Sequence, residues 1–149
     1  MLTYEFSVPR KLRMAVGGGA RRVTVVIQER EADIYGCTSV KMARENVIIL
    51  NPSAHWVWSQ WEMPVAAIRR IAETVIHEMV HVRQFKVMLA NDIENWDSAY
   101  DALFSKQVAE RDQAGEIEAF AIGEASIKRP SIWELIAPIA RDLAKVLVK

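Results

Sequence analysis

His77-Glu78-Met79-Val80-His81 sets two imidazoles four residues apart, with a carboxylate next to the first. On an α-helix that spacing puts both rings on one face, where they can bind a single metal ion. Glu78 then lies within reach of a water at the metal and can serve as its general base. The chain has only 3 histidines in 149 residues, so a pair at this spacing is an uncommon accident of composition. The chemistry implied is metal-assisted hydrolysis. The competing reading is a buried helix whose histidines only form hydrogen bonds.

A pair of this kind needs a rigid apolar helix to hold it, and the flanking sequence supplies one. Pro64 suits a first helical turn, and no Pro or Gly follows until Gly115. Val65, Ile68, Ala72, Val75, Ile76, Met79, Val80 and Val82 are spaced to bury most of the surface of a helix from about Pro64 to about Leu89.

A catalytic zinc takes three protein ligands and keeps one position for water. His77 and His81 supply two. The remaining histidine, His55, lies upstream beside Trp56, Trp58 and Trp61, and none lies downstream. The residue three beyond His81 is Gln84, and no Gly-x-x-His extension follows, so the metzincin pattern fails. A carboxylate from a later helix is therefore expected, within Gly115 to Gly123. Glu116 shares its helix face with Ala119, Phe120 and Gly123, whose small members would let two helices approach closely. Glu118 points about 200° away at about 100° per residue. Glu116 is the preferred third ligand and Glu118 the alternative, with Asp97 and Asp101 weaker options. A His/His/Glu set suits one zinc ion per chain.

An HExxH helix followed by a glutamate on a later helix resembles the gluzincin metallopeptidases. Glu116-x-x-Ala119 is similar to their third-ligand element, and Val47 to Leu50 with its closing Asn51-Pro52 resembles the minimal gluzincins and the ImmA/IrrE-like peptidases. The resemblance spans roughly Val23 to Ala125. It implies a zinc-dependent endopeptidase acting on a peptide or protein substrate, with His77, His81 and Glu116 on the metal and Glu78 as base. It also implies a strand before the zinc helix that holds substrate extended, here Asn46 to Leu50. Phe120 is a departure, since these families often carry Asp or Asn there to orient a zinc histidine. Tyr35, Tyr100 and His55 are candidate donors to the reaction's oxyanion. The alternative is a zinc-binding regulatory or protein-interaction module without proteolysis.

Formal net charge is zero, which lacks the electrostatic footprint of a nucleic-acid binder. Cys37 is the only cysteine, so no intramolecular disulfide or Cys-rich zinc ribbon can form. No apolar run approaches a membrane span, and Met1 to Pro9 lacks the apolar core of a signal peptide, so a cytoplasmic protein is expected.

Strand patterns come first. They cover Thr3 to Val8, Arg22 to Glu29, a looser stretch Tyr35 to Met42, and Asn46 to Leu50. Pro9 to Val16 reads as a short helix, Gly17-Gly18-Gly19 as a plain loop, and Ser53 to Glu62 as a connecting loop holding the three tryptophans. Helical patterns follow at Asp97 to Phe104, at Val108 to Ile127 with a break at Gly115, and at Pro130 to Val148. The expectation is one α+β domain over residues 1–149, with a small, mainly N-terminal sheet packed on a central HExxH helix and C-terminal helices after it. The last helix, about 130–149, packs on the domain or covers the cleft.

Overall fold

The computed structural model describes residues 2–31, 33–55, 64–91 and 96–147. The strands are β1 (Leu2–Ser7), β2 (Arg22–Ile27), β3 (Gly36–Cys37) and β4 (Val47–Leu50). The helices are α1 (Arg10–Ala15), α2 (Val40–Arg44), α3 (Pro64–Asn91), α4 (Trp96–Phe104), α5 (Ala114–Ile127) and α6 (Pro130–Leu147), with a 3-10 turn at Glu110–Asp112. The architecture is α+β, an N-terminal sheet followed by helices. Trp56, Trp58 and Trp61 lie outside the described residues, as does the side chain of Asp97.

One four-stranded sheet forms in the order β1-β2-β4-β3. β1 pairs antiparallel with β2, opposing Phe6 to Val23, and β2 pairs parallel with β4, opposing Val25 to Ile48. β3 pairs antiparallel with β4, opposing Gly36 to Leu50. Val23 and Val25 on β2 and Ile48 and Leu50 on β4 are buried at period two, which makes one face of the sheet the floor of the core. β4 is central, with β2 along the whole of one edge and β3 opposite Ile49 and Leu50 on the other. The expectation that Asn46 to Leu50 receives a substrate strand is corrected at Ile49 and Leu50, and among the described residues the edge strand beside α3 is β3.

α3 crosses this floor. Every residue from Thr74 to Val82 is buried, as the run of apolar positions predicts, whereas Val65 near its start is exposed. A helix covered on all sides needs partners all round. The sheet, α2, α5 and α6 supply them. α5 reaches α3 closely because Ala119 and Gly123 face it. A Cβ at Gly123 would already lie 3.3 Å from the Glu73 carbonyl oxygen.

Three further expectations change. Tyr35 to Met42 is not one strand. Only Gly36–Cys37 pairs, and Ser39 then accepts a hydrogen bond from the Met42 N–H at 3.2 Å and caps α2. Pro52 to His55 is helical rather than loop. The helix expected from Val108 begins only at Ala114, so Gly115 sits in a first turn instead of at a kink. A Cβ there would lie 2.4 Å from the Phe104 ring, so the glycine serves a close approach between α4 and α5.

The C-terminal helix packs inward. Ile132, Ile136, Ile139, Ala140 and Leu143 are buried, and α6 lies against α3 and α1. Among the described residues no helix is long and apolar enough to cross a membrane.

Candidate metal centre

His77 and His81 sit mid-helix on the buried stretch of α3, one turn apart. Their Nε2 atoms converge to 3.1 Å, with the rings nearly perpendicular at 84°. Glu116, in the first turn of α5, reaches between them. Its Oε1 lies 2.7 Å from His81 Nε2 and its Oε2 3.2 Å from His77 Nε2. Glu118 goes elsewhere and accepts from the Arg83 Nη2 at 2.7 Å and the Gln84 Nε2 at 2.8 Å. Asp101 is exposed on α4. Of the three candidate acids whose side chains are described, Glu116, Glu118 and Asp101, Glu116 is the one whose carboxylate meets both imidazoles.

The donor atoms suit a metal. Three ligands on a tetrahedral zinc, with bonds of about 2.0–2.1 Å, sit about 3.3 Å from one another. The three separations between Glu116, His77 and His81 run from 2.7 to 3.2 Å, so small side-chain shifts would complete such a set. His77, Glu78 and His81 also form a group, with ligand-capable atoms within 4.8 Å of one another, that could hold a metal ion.

The charges in this knot are coupled. Burial pushes the Glu116 carboxyl up, but its bonds to His77 and His81 outweigh that and bring it down to about 2. Burial pulls the His81 imidazole down, but the bond to Glu116, the charges of Glu78 and Glu116 and the bond to Gln84 outweigh it, and the net shift is upward. A metal cation bound here would take the place of any proton shared between His81 Nε2 and Glu116. Glu78 is pushed up, chiefly by burial and slightly by Glu116, against the lowering pull of both histidines and Thr38.

Several residues of the site carry no motif of their own. Thr38, just past β3, donates its hydroxyl to Glu78 Oε1 at 2.9 Å. The other oxygen, Oε2, stands 3.9 Å from His77 Nε2. Gly36 lets β3 press onto α3, since a Cβ there would lie 2.9 Å from the Ile49 carbonyl and 3.2 Å from Glu78 Cγ. Asn51, fully buried, donates to the Glu31 and Ile34 carbonyls at 2.8 and 2.7 Å and so fixes the loop that leads into β3. Phe120 sets its ring edge-to-face on His77 at 4.4 Å, an apolar contact where a hydrogen-bonding residue was expected. Gln84 accepts from the His81 ring at 2.8 Å and takes up the orienting work on that side.

These groups face a cleft of about 480 Å³. The loop and strand from Asp33 to Thr38 form one wall. Lys106, Glu110, Gln113 and Phe120 form the other, with His77, Glu78 and His81 on the floor. Tyr35 and Tyr100 line the cleft, as an oxyanion donor must. His55 does not. It is buried behind Tyr35, whose carbonyl accepts from its Nε2 at 3.0 Å. No described residue of α6 lines the cleft, which fits the packing alternative for that helix rather than a cover.

The chain matches no protein-family model, no curated protein and no solved structure.

Proposed function

We propose that the chain is a zinc-dependent metalloendopeptidase, with His77, His81 and Glu116 as ligands and Glu78 as general base. The observation that carries this is the Glu116 carboxylate meeting both Nε2 atoms while Glu78 stands beside them in an open cleft. A purely structural histidine pair has no need of a second, partly buried carboxylate lining the same cleft. Zinc bound there would supply Lewis acidity, polarising a peptide carbonyl and making water nucleophilic near neutral pH.

The chain's own residues do the rest. Glu78, with Oε1 held by Thr38, accepts the water proton on its other oxygen and returns it to the leaving amine as the peptide bond breaks. Its burial raises its proton affinity, which suits a group that must both take and give a proton in one turnover. The free edge of β3 is suited to pair with an extended substrate backbone over the floor of the cleft. Tyr35 and Tyr100, which line the same cleft, are the candidates to donate to the oxyanion.

The test is Glu78→Gln, which keeps size and hydrogen bonding but loses the base. It is expected to retain one zinc per chain and to lose hydrolysis of a peptide library by about 10²-fold or more. An equally active variant would remove Glu78 as base. Stoichiometric zinc in a wild type that hydrolyses nothing would leave a zinc-binding regulatory module.

A further inference from the structure

The amide of Gln84 has distinguishable ends, and its surroundings assign both. Its Nε2 donates to the Gly115 carbonyl at 3.0 Å and to Glu118 Oε1 at 2.8 Å, which uses both N–H groups on acceptors that cannot donate. The oxygen is then the end that faces His81 Nδ1 at 2.8 Å. A flipped amide would set its oxygen against the Gly115 carbonyl and Glu118 Oε1, losing both of those bonds in a buried place. Nδ1 must therefore carry a hydrogen, and Nε2, which faces Glu116 and His77, is the nitrogen left to give its lone pair to a metal once any proton it shares with Glu116 is displaced.

We propose that Gln84, oriented by Glu118 and the Gly115 carbonyl, is the positioning residue that commits His81 to metal binding through Nε2. This rests on the metal reading given above. Glu118 is itself anchored by Arg83, whose Nε donates to the Val16 carbonyl at 2.9 Å at the end of α1. Gln84 and Arg83 belong to α3, while Gly115 and Glu118 belong to α5. The same bonds that orient the amide thus fix α5 against α3 in the register that delivers Glu116 between the two imidazoles. Glu118 serves the centre without touching it.

The experiment measures zinc affinity of the full chain by competition with a chelator, and the His81 Nδ1 proton of the zinc-loaded protein by NMR. Gln84→Met keeps length and removes the acceptor. It is expected to weaken zinc binding by about 10- to 100-fold and to abolish the slowly exchanging Nδ1 proton. Glu118→Ala, a substitution at a largely exposed side chain, is expected to produce a smaller loss of the same kind. The double variant Gln84→Glu/Glu118→Gln restores an oxygen facing Nδ1 but gives up the bond to the Gly115 carbonyl, and is expected to recover part of the affinity lost in Gln84→Met, which a loss of packing would not. Wild-type affinity in folded Gln84→Met overturns the inference. If that variant does not fold, wild-type affinity and an unchanged Nδ1 proton in Glu118→Ala overturn it. A wild type without zinc affinity overturns the metal reading itself.

Discussion

Glu78 has two carboxylate oxygens in different surroundings, and the difference matters for a general base. Oε1 accepts the Thr38 hydroxyl, while Oε2 stands on the side of His77. A base fixed by one oxygen presents the other in a constant direction, which keeps the proton-transfer geometry short and aligned. Thr38→Val preserves the shape of the side chain and deletes the donor. Bonds to charged groups contribute about 1.5–3 kcal/mol, so the variant is expected to lose roughly tenfold or more in kcat/KM with zinc content unchanged. Peptide hydrolysis alongside elemental analysis checks this, and an unaltered rate would mean that the Glu78 orientation comes from elsewhere. At this scale the sequence was informative where residues share one helix. His77, Glu78 and His81 follow from spacing, and the preference for Glu116 follows from its face alongside Ala119 and Gly123. Gln84 lay three residues beyond His81, close enough to be read as an orienting group, but it entered only as the reason a third histidine was missing. Thr38 left no local trace, because the contact joins residues 40 apart through the pairing of β3 with β4.

The elements that deliver these side chains meet at unusually small separations, and glycine sets the limit on one side. β3 lies against α3 so closely that a methyl group at Gly36 would meet the Ile49 carbonyl at 2.9 Å, Thr74 Cγ2 at 3.0 Å and Glu78 Cγ at 3.2 Å. Gly36→Ala is expected to destabilise the fold by about 1–3 kcal/mol as backbone and helix move apart. It should also impair hydrolysis more than zinc binding, because the displaced wall touches Glu78 and not the ligands. A urea denaturation midpoint together with zinc affinity separates the two effects, and an unshifted midpoint would show that the strand yields freely. β1, β2, β4 and the long helix were legible because period two and buried-helix patterns persist over whole elements. β3 was not, because two paired residues carry no periodicity and Ser39 turns the chain into α2 immediately afterwards. The start of α5 was misjudged for a related reason. Gly115 reads as a breaker in isolation, whereas its role is to admit the Phe104 ring.

Across the whole molecule, stability and the centre meet again at His55, the one histidine outside the motif. It is 1% exposed behind the cleft wall, its ring edge-to-face with Tyr35 at 5.5 Å. Its Nε2–H is spent on the Tyr35 carbonyl, so Nδ1 is unprotonated, and among the described residues Nδ1 has no hydrogen-bond partner. A second proton would add a charge in a buried setting where no described group accepts the new N–H. Burial, aided by the Arg70 charge and opposed by the Tyr35 bond, accordingly brings this imidazole from 6.5 down to about 4. The unfolded chain binds that proton near pH 6.5 and the folded chain only near pH 4, so the stability held by neutral His55 is complete above the upper value. It declines as the pH falls between the two and changes no further below the lower one. The span corresponds to about 3 kcal/mol. His55→Asn removes the titration, so the variant is expected to be less stable than wild type at pH 7.5 and to close most of that gap by pH 4. Denaturant unfolding of both proteins across this range checks it, with zinc withheld so that ligand protonation is the same in each. Curves that run parallel would mean that His55 is charged in the folded protein, and that the packing behind Tyr35 tolerates a cation which its buried surroundings argue against.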